Sequence, residues 1–297
     1  MTPYQVLRAA RHETVRIRGL ELHLRRWGPP PSSEKAPVVL LHGFQDTGDT
    51  FQFLVDAFER DWPLAAPDWR GFGRSGWSQN GYWFQDYLAD LDELLELVCG
   101  KEPVRLVGHS MGGNVACLYA GVLPARVRCV VNLEGFGMPR TCADQAPNRL
   151  RQWLGQVKSV PPLKDYDSFE QLASIIRYRY PRFTEEQSDF VARAWARAAP
   201  DGRIHLLGDS RHRWVNPVLY KREDAEACWR SIEAPVLMLI GEKSEFVSRL
   251  GADGTDAAFR SIVPDIQIVH IAGAGHMLHI EKPALIAPPI EQFLEAN

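Results

Sequence analysis

Six short runs, each almost wholly apolar, set the terms on which this chain can fold. They are PVVLLHG (37–43), WPLAAPD (62–68), VRLVGHS (104–110), VRCVVNLEG (127–135), PVLMLIG (235–241) and IQIVHIAG (266–273). A strand with one wet face alternates apolar and polar residues, whereas a strand buried on both faces of a parallel sheet loses that alternation. Between the runs, DYLADLDELLELV (86–98) and MGGNVACLYAGVL (111–123) repeat apolar residues at helical spacing. PALIAPPIEQFLEA (283–296) predicts a closing helix that Pro288 and Pro289 should kink or restart. Alternating strands and helices mean an α/β class with a mostly parallel sheet. Ahead of the runs, TVRIRGLELHLRRW (14–27) does alternate, around Gly19, and predicts an antiparallel hairpin half exposed to water; GPPPSSEK (28–35) then predicts a loop.

The rhythm breaks once. From Met138 to Arg230 no strand-like run of the same quality occurs, and aromatic residues punctuate a mostly helical, arginine-rich text. An insertion of that length between sheet strands predicts a helical cap. The expected organisation is a core of 1–137 and 231–297 with a cap of 138–230 inserted after the sixth strand.

Composition narrows the function classes. Of 297 residues, 45% are hydrophobic and 24% charged, as in folded globular proteins. A net charge of -3 leaves no basic footprint for nucleic acid or an anionic membrane surface. No run approaches the roughly 20 apolar residues of a membrane span, and the start of the chain has no signal-peptide pattern. Five scattered cysteines without a C-x-x-C pair fit reduced thiols, so a cytoplasmic location is expected. The expected partner is a small-molecule substrate, with neither nucleic acid nor membrane, for a monomer or small homo-oligomer.

The chemistry concentrates at Gly108-His109-Ser110-Met111-Gly112, which fits G-x-S-x-G between an apolar strand and a helix. A tight strand-to-helix turn lifts the Ser110 hydroxyl out of the sheet and sets the Met111 N–H at a helix N-terminus, aimed at developing negative charge. A neutral serine needs a base within hydrogen-bond reach. His276 follows the last strand in a small-residue loop and is the preferred base; His279, three residues on, suits capping or packing. In LLHGFQDTGDTF, the Phe44 N–H is the expected second oxyanion donor beside that of Met111. His42 would order this turn, and His109 would pack inside the elbow.

His42-Gly43-Phe44, Asp68 to Gly76 (DWRGFGRSG), Gly108 to Gly113 (GHSMGG) and Gly273 to His276 (GAGH), in that order along almost the whole chain, resemble the α/β-hydrolase superfamily in its cap-bearing serine-hydrolase branch. The resemblance implies an eight-stranded sheet and a triad of serine, acid and histidine. Ser110 separates the chain from the branches similar to epoxide hydrolases and haloalkane dehalogenases, which carry aspartate at the elbow. In most of the family the acid is an aspartate after the seventh strand, but here Ser244 holds that position. Glu134, 24 residues after Ser110 at the end of the sixth strand, is the favoured acid, because several branches place theirs there and a carboxylate in so apolar a run is expensive to bury unpaired. Glu245 is the main alternative, with Glu242 and Asp253 behind it. Another possibility is that Glu134 is tied structurally to a cap arginine.

These roles predict a serine hydrolase that cleaves a small carboxylic ester or related acyl substrate through an acyl-enzyme on Ser110, with no cofactor and no metal. A carbon–carbon bond hydrolase acting on a diketone could use the same triad, and a non-catalytic ligand-sensing protein could keep the fold. The substrate pocket is expected to draw on His42, His109, Phe136, Met138, Trp153, Trp214 and Met277. Asp68 and Arg70 are expected to be structural. Arg140, Arg149, Arg151, Arg177, Arg179 and Arg182 would either face solvent or receive an anionic group.

Overall fold

The computed structural model describes residues 3–31 and 36–297; residues 32–35 of the expected loop lie outside the described residues. In chain order the elements are β1 (Arg11–Ile17), β2 (Leu20–Trp27), β3 (Val38–Leu41), α1 (Gln52–Ala57), β4 (Leu64–Pro67), α2 (Phe84–Cys99), β5 (Val104–His109), α3 (Met111–Val122) and β6 (Val127–Leu133). Next come α4 (Ala146–Gln156), β7 (Asp165–Tyr166), α5 (Phe169–Arg179), α6 (Glu185–Trp195), β8 (Ala196–Ala198) and β9 (Ile204–Leu206). The chain closes with α7 (Arg222–Arg230), β10 (Val236–Gly241), α8 (Asp256–Ile262), β11 (Ile266–Ile271), α9 (Leu278–Glu281) and α10 (Pro283–Ala296).

All six apolar runs are strands of one eight-stranded sheet, ordered β1-β2-β4-β3-β5-β6-β10-β11. The hairpin β1–β2 is antiparallel and joins β4 antiparallel; the remaining pairings are parallel. Both faces are buried, which explains the missing alternation. Val39, Leu41, Leu106 and Val130 pack towards α2, α3, α7 and α8. Their neighbours Val38, Leu40, Val107 and Val131 pack towards α1 and α10.

Two expectations need correction. Pro288 and Pro289 neither stop nor restart the closing helix, since α10 runs unbroken from Pro283 to Ala296. Burial of Ile286, Ala287 and Ile290 against the sheet holds the backbone helical although two prolines lack N–H donors. Segment 138–230 is also not purely helical: β7, β9 and β8 form a small antiparallel sheet of two- and three-residue strands, too short to leave a period in the sequence. Nor does its last helix stand apart. Ala225 and Trp229 of α7 share the core cluster with Val115 and Tyr119 of α3.

The segment is fastened to the core at the DWRGFGRSG loop. Gly73 N–H donates to Leu207 O (2.9 Å) and Asp209 N–H to Gly71 O (2.8 Å). The His212 ring is sandwiched between Phe72 (3.8 Å between centroids) and Tyr82 (3.7 Å). The loop itself is anchored by Asp68, fully buried, which accepts from Arg25 Nη1 (2.7 Å), His23 Nδ1 (3.2 Å) and the Gly48 N–H (2.9 Å). Arg70 pairs with Asp90. No helix among the described residues is long and apolar enough to cross a membrane.

Candidate active site

β5 and β6 run side by side in register, with His109 opposite Leu133, so the next residue on each, Ser110 and Glu134, emerges at the same sheet edge. Both have left-handed backbone, at φ 52° and 62°, a conformation that costs a non-glycine residue free energy unless its surroundings fix it. The surroundings do so. Ser110 N–H donates to Leu133 O (2.7 Å), and α3 begins at the following residue. Gly112 lets that helix start against β3, since a Cβ there would collide with the Leu41 carbonyl. At Glu134, the Asn132 side chain closes the turn from both sides, accepting from Gly135 N–H (2.7 Å) and donating to Gly135 O (2.8 Å).

His276 joins these two ends. Its Nε2 lies 3.0 Å from Ser110 Oγ and its Nδ1 2.9 Å from Glu134 Oε2. The Glu134 side chain is wholly buried, and its charge is met by three donors: His276, the Gly241 N–H (2.7 Å to Oε1) and the Ser244 hydroxyl. Ser244, at the position where aspartate was expected, thus serves the carboxylate that replaces it. Among the described residues Glu245 is exposed and forms no hydrogen bond or ion pair with His276; Glu242 faces the Gly273 N–H (3.4 Å) and Asp253 pairs with Arg140 (2.9 Å). Among the described residues no arginine of segment 138–230 pairs with Glu134.

The His42-Gly43-Phe44 turn follows β3. Among the described residues neither the Phe44 nor the Met111 N–H has a hydrogen-bond acceptor. His42 is wholly buried, with Nδ1–H donating to Gly43 O (2.7 Å) while Nε2 accepts the Trp69 N–H (2.8 Å). Burial holds its ring well towards the neutral form, below the ordinary histidine range. Asp46 accepts from the Thr47 N–H (2.8 Å), the Thr50 hydroxyl (2.9 Å) and, across the cap boundary, the Trp195 indole (2.8 Å).

The family model described as alpha/beta hydrolase fold matches residues 36–283. The chain belongs to the alpha/beta hydrolase fold family. Among its relatives is a serine hydrolase-like protein of Danio rerio, 26% identical over 93% of this chain and 85% of that one. A 2-(acetamidomethylene)succinate hydrolase of Mesorhizobium japonicum is 26% identical over 95% of this chain and 94% of that one. A thioesterase domain from the curacin biosynthetic pathway shares the fold, with a TM-score of 0.84 at 24% identity, covering 96% of this chain and 99% of that one. The likeness to the Danio rerio and Mesorhizobium japonicum proteins supports a hydrolase, and the thioesterase domain supports the fold.

Within this alpha/beta hydrolase fold the expected pocket residues divide by depth. His42 (0% exposed), His109 (1%), Phe136 (3%) and Met277 (5%) are buried. Met138 and Phe44 are exposed, as is Phe246, which stacks on the His276 ring (3.8 Å) and carried no sequence signal. Trp153 and Trp214 are half-buried in the cap, the latter donating from its indole to Ser159 O (3.3 Å).

His109 instead donates from Nε2 to the His276 carbonyl (2.9 Å), and burial, with His279 and His276 nearby, holds it well below the ordinary histidine range. His279, fully buried in α9, faces Asp46 at 3.7 Å. Burial alone would raise the Asp46 carboxyl, but His279, His42 and Trp195 outweigh it and hold it below its ordinary value. Asp46, His109 and His279 offer ligand-type atoms within 4.8 Å of one another, although the Asp46 oxygens are already occupied by the three donors above. No spacing could reveal this group, whose members are spread over most of the chain.

Proposed function

We propose that the chain is a serine hydrolase that cleaves a small carboxylic ester or related acyl substrate through an acyl-enzyme on Ser110. The observation that carries this is the continuous line of bonds from Glu134 through His276 to Ser110, at 2.9 and 3.0 Å. With its Nδ1–H held by Glu134, His276 presents the Nε2 lone pair to the Ser110 hydroxyl and takes its proton as Oγ bonds to the acyl carbon. The Phe44 and Met111 N–H groups receive the negative oxygen. The same histidine then protonates the leaving alkoxide, and a water that gives it a proton in turn releases the acid. Every step uses the chain's own groups. The likeness to a serine hydrolase-like protein and to a 2-(acetamidomethylene)succinate hydrolase supports this reading.

The test is hydrolysis of p-nitrophenyl acetate, butyrate and octanoate by wild type, Ser110→Ala and Glu134→Gln, with a diketone assayed alongside. Ester turnover that vanishes in Ser110→Ala is the expected result, and the best chain length sizes the acyl site. Cleavage of the diketone in preference to every ester would replace the ester assignment with carbon–carbon bond hydrolysis. Wild type that neither turns over any substrate nor reacts with a fluorophosphonate would leave ligand sensing.

A further inference from the structure

The loop that carries His276 is gripped from the cap side. Gly275 N–H donates to Glu281 Oε2 (2.6 Å), and the same oxygen accepts Arg182 Nε–H (2.8 Å). The Glu281 side chain is 2% exposed, so its charge depends on these donors. Arg182 belongs to the connection between α5 and α6, and its guanidinium lies so close over Gly275 that a Cβ on that residue would run into it. Docking of the cap at this point has other means: Gln187 Nε2 donates to Ile280 O (2.6 Å), and Phe183, Met277 and Ile280 share one apolar cluster. Arg182 is distinguished by its target, the oxygen that also holds the residue preceding His276.

We propose that Arg182 is a positioning residue for His276: through Glu281 and Gly275 it fixes the histidine loop at the distance from which Nε2 reaches Ser110. The inference rests on the hydrolase function proposed above. Its physical basis is short leverage. When the Glu281 carboxylate shifts, the Gly275 N–H follows, and the histidine is the next residue. Misplacement of a reacting group by about 1 Å costs on the order of 100-fold in rate. Seating of the cap and assembly of the catalytic geometry are then a single event.

The experiment uses the full chain with Arg182→Ala and Arg182→Lys, and Phe183→Ala as a variant that removes apolar packing against α9 but keeps the hydrogen-bonding groups of Arg182, Glu281 and Gly275. Two quantities are followed: the rate of Ser110 labelling by a fluorophosphonate, and the far-downfield proton resonance of His276 Nδ1–H on Glu134. In Arg182→Ala, labelling is expected to slow about 100-fold, the resonance to shift or disappear, and both to return on adding methylguanidinium. Arg182→Lys should recover part of the rate, since lysine supplies the charge without the planar fork. Wild-type labelling and an unmoved resonance in Arg182→Ala would overturn the proposal. So would a loss that methylguanidinium leaves unrestored and that Phe183→Ala reproduces at equal loss of melting temperature. A wild type that shows the resonance but never labels would sink the hydrolase assignment, while the resonance alone still decides whether Arg182 positions the ring.

Discussion

At the scale of single residues, the site is two strained positions joined by a histidine. Ser110 and Glu134 both occupy the left-handed region, the first running straight into α3 and the second into a turn that the Asn132 side chain closes. Glu134→Gln keeps the shape but removes the charge that orients and stabilises the imidazolium, so turnover of p-nitrophenyl butyrate should drop about 10⁴-fold, as for the equivalent change in a serine protease triad. Ser244→Asp should act differently. It brings a second carboxylate against Glu134, and two such groups cannot both ionise readily. The acid limb of the pH–rate profile should therefore move to higher pH, while a limb unchanged from wild type would show that Ser244 does not share the Glu134 site. Ser110 and His276 were legible because their signals are local: a strand, a tight turn and a helix for one, a loop after the last strand for the other. Glu134 stood out as a carboxylate in an apolar run. Ser244 could only be noted as a departure, because its purpose is a contact 110 positions away in sequence.

At the scale of elements, apolar patterning identified every strand of the large sheet and the closing helix over 283–296, and failed at β7, β8 and β9, which are shorter than a period. Within α10 only the restart expected at Pro288 and Pro289 is absent. That absence has a measurable counterpart. Pro288 is exposed on a helix whose other face is buried. Replacing it by alanine restores a backbone donor at a position that is already helical, against a smaller loss of rigidity in the unfolded chain. Pro288→Ala should stabilise the protein by about 1 to 2 kcal/mol in urea unfolding; a destabilised variant would mean that the ring itself contributes packing.

At the scale of the whole molecule, segment 138–230 is tied to the rest of the chain by the His212 sandwich, by the Trp195–Asp46 bond at the loop after β3 and by the bonds around α9. The sandwich carries a pH dependence. Burial between Phe72 and Tyr82 lowers the His212 pKa to about 4. An unfolded chain binds the proton near 6.5, so the folded state loses stability as pH falls from 6.5 towards 4 and loses no more below that. Between pH 7 and 5 this amounts to about 2 kcal/mol. The fall in melting temperature across that interval should be smaller in His212→Phe, which keeps an aromatic ring in the stack but cannot take up a proton; equal falls would assign the effect to other groups.

The cap leaves after β6 and the chain returns in β10, and these two strands are paired directly, Val236 beside Val130 through Leu239 beside Leu133. The sheet is therefore closed beneath the insertion, with no gap that the cap must fill. Ser110, Glu134 and His276 all come from core segments, whereas Met138, Trp153 and Trp214 come from the insertion. Any segment exchanged for 138–230 would therefore have only to rebuild its seams, the packing of α7 on α3, the bonds to the DWRGFGRSG loop and to Asp46, and the grip on α9, while the strands that carry Ser110, Glu134 and His276 stay paired to one another.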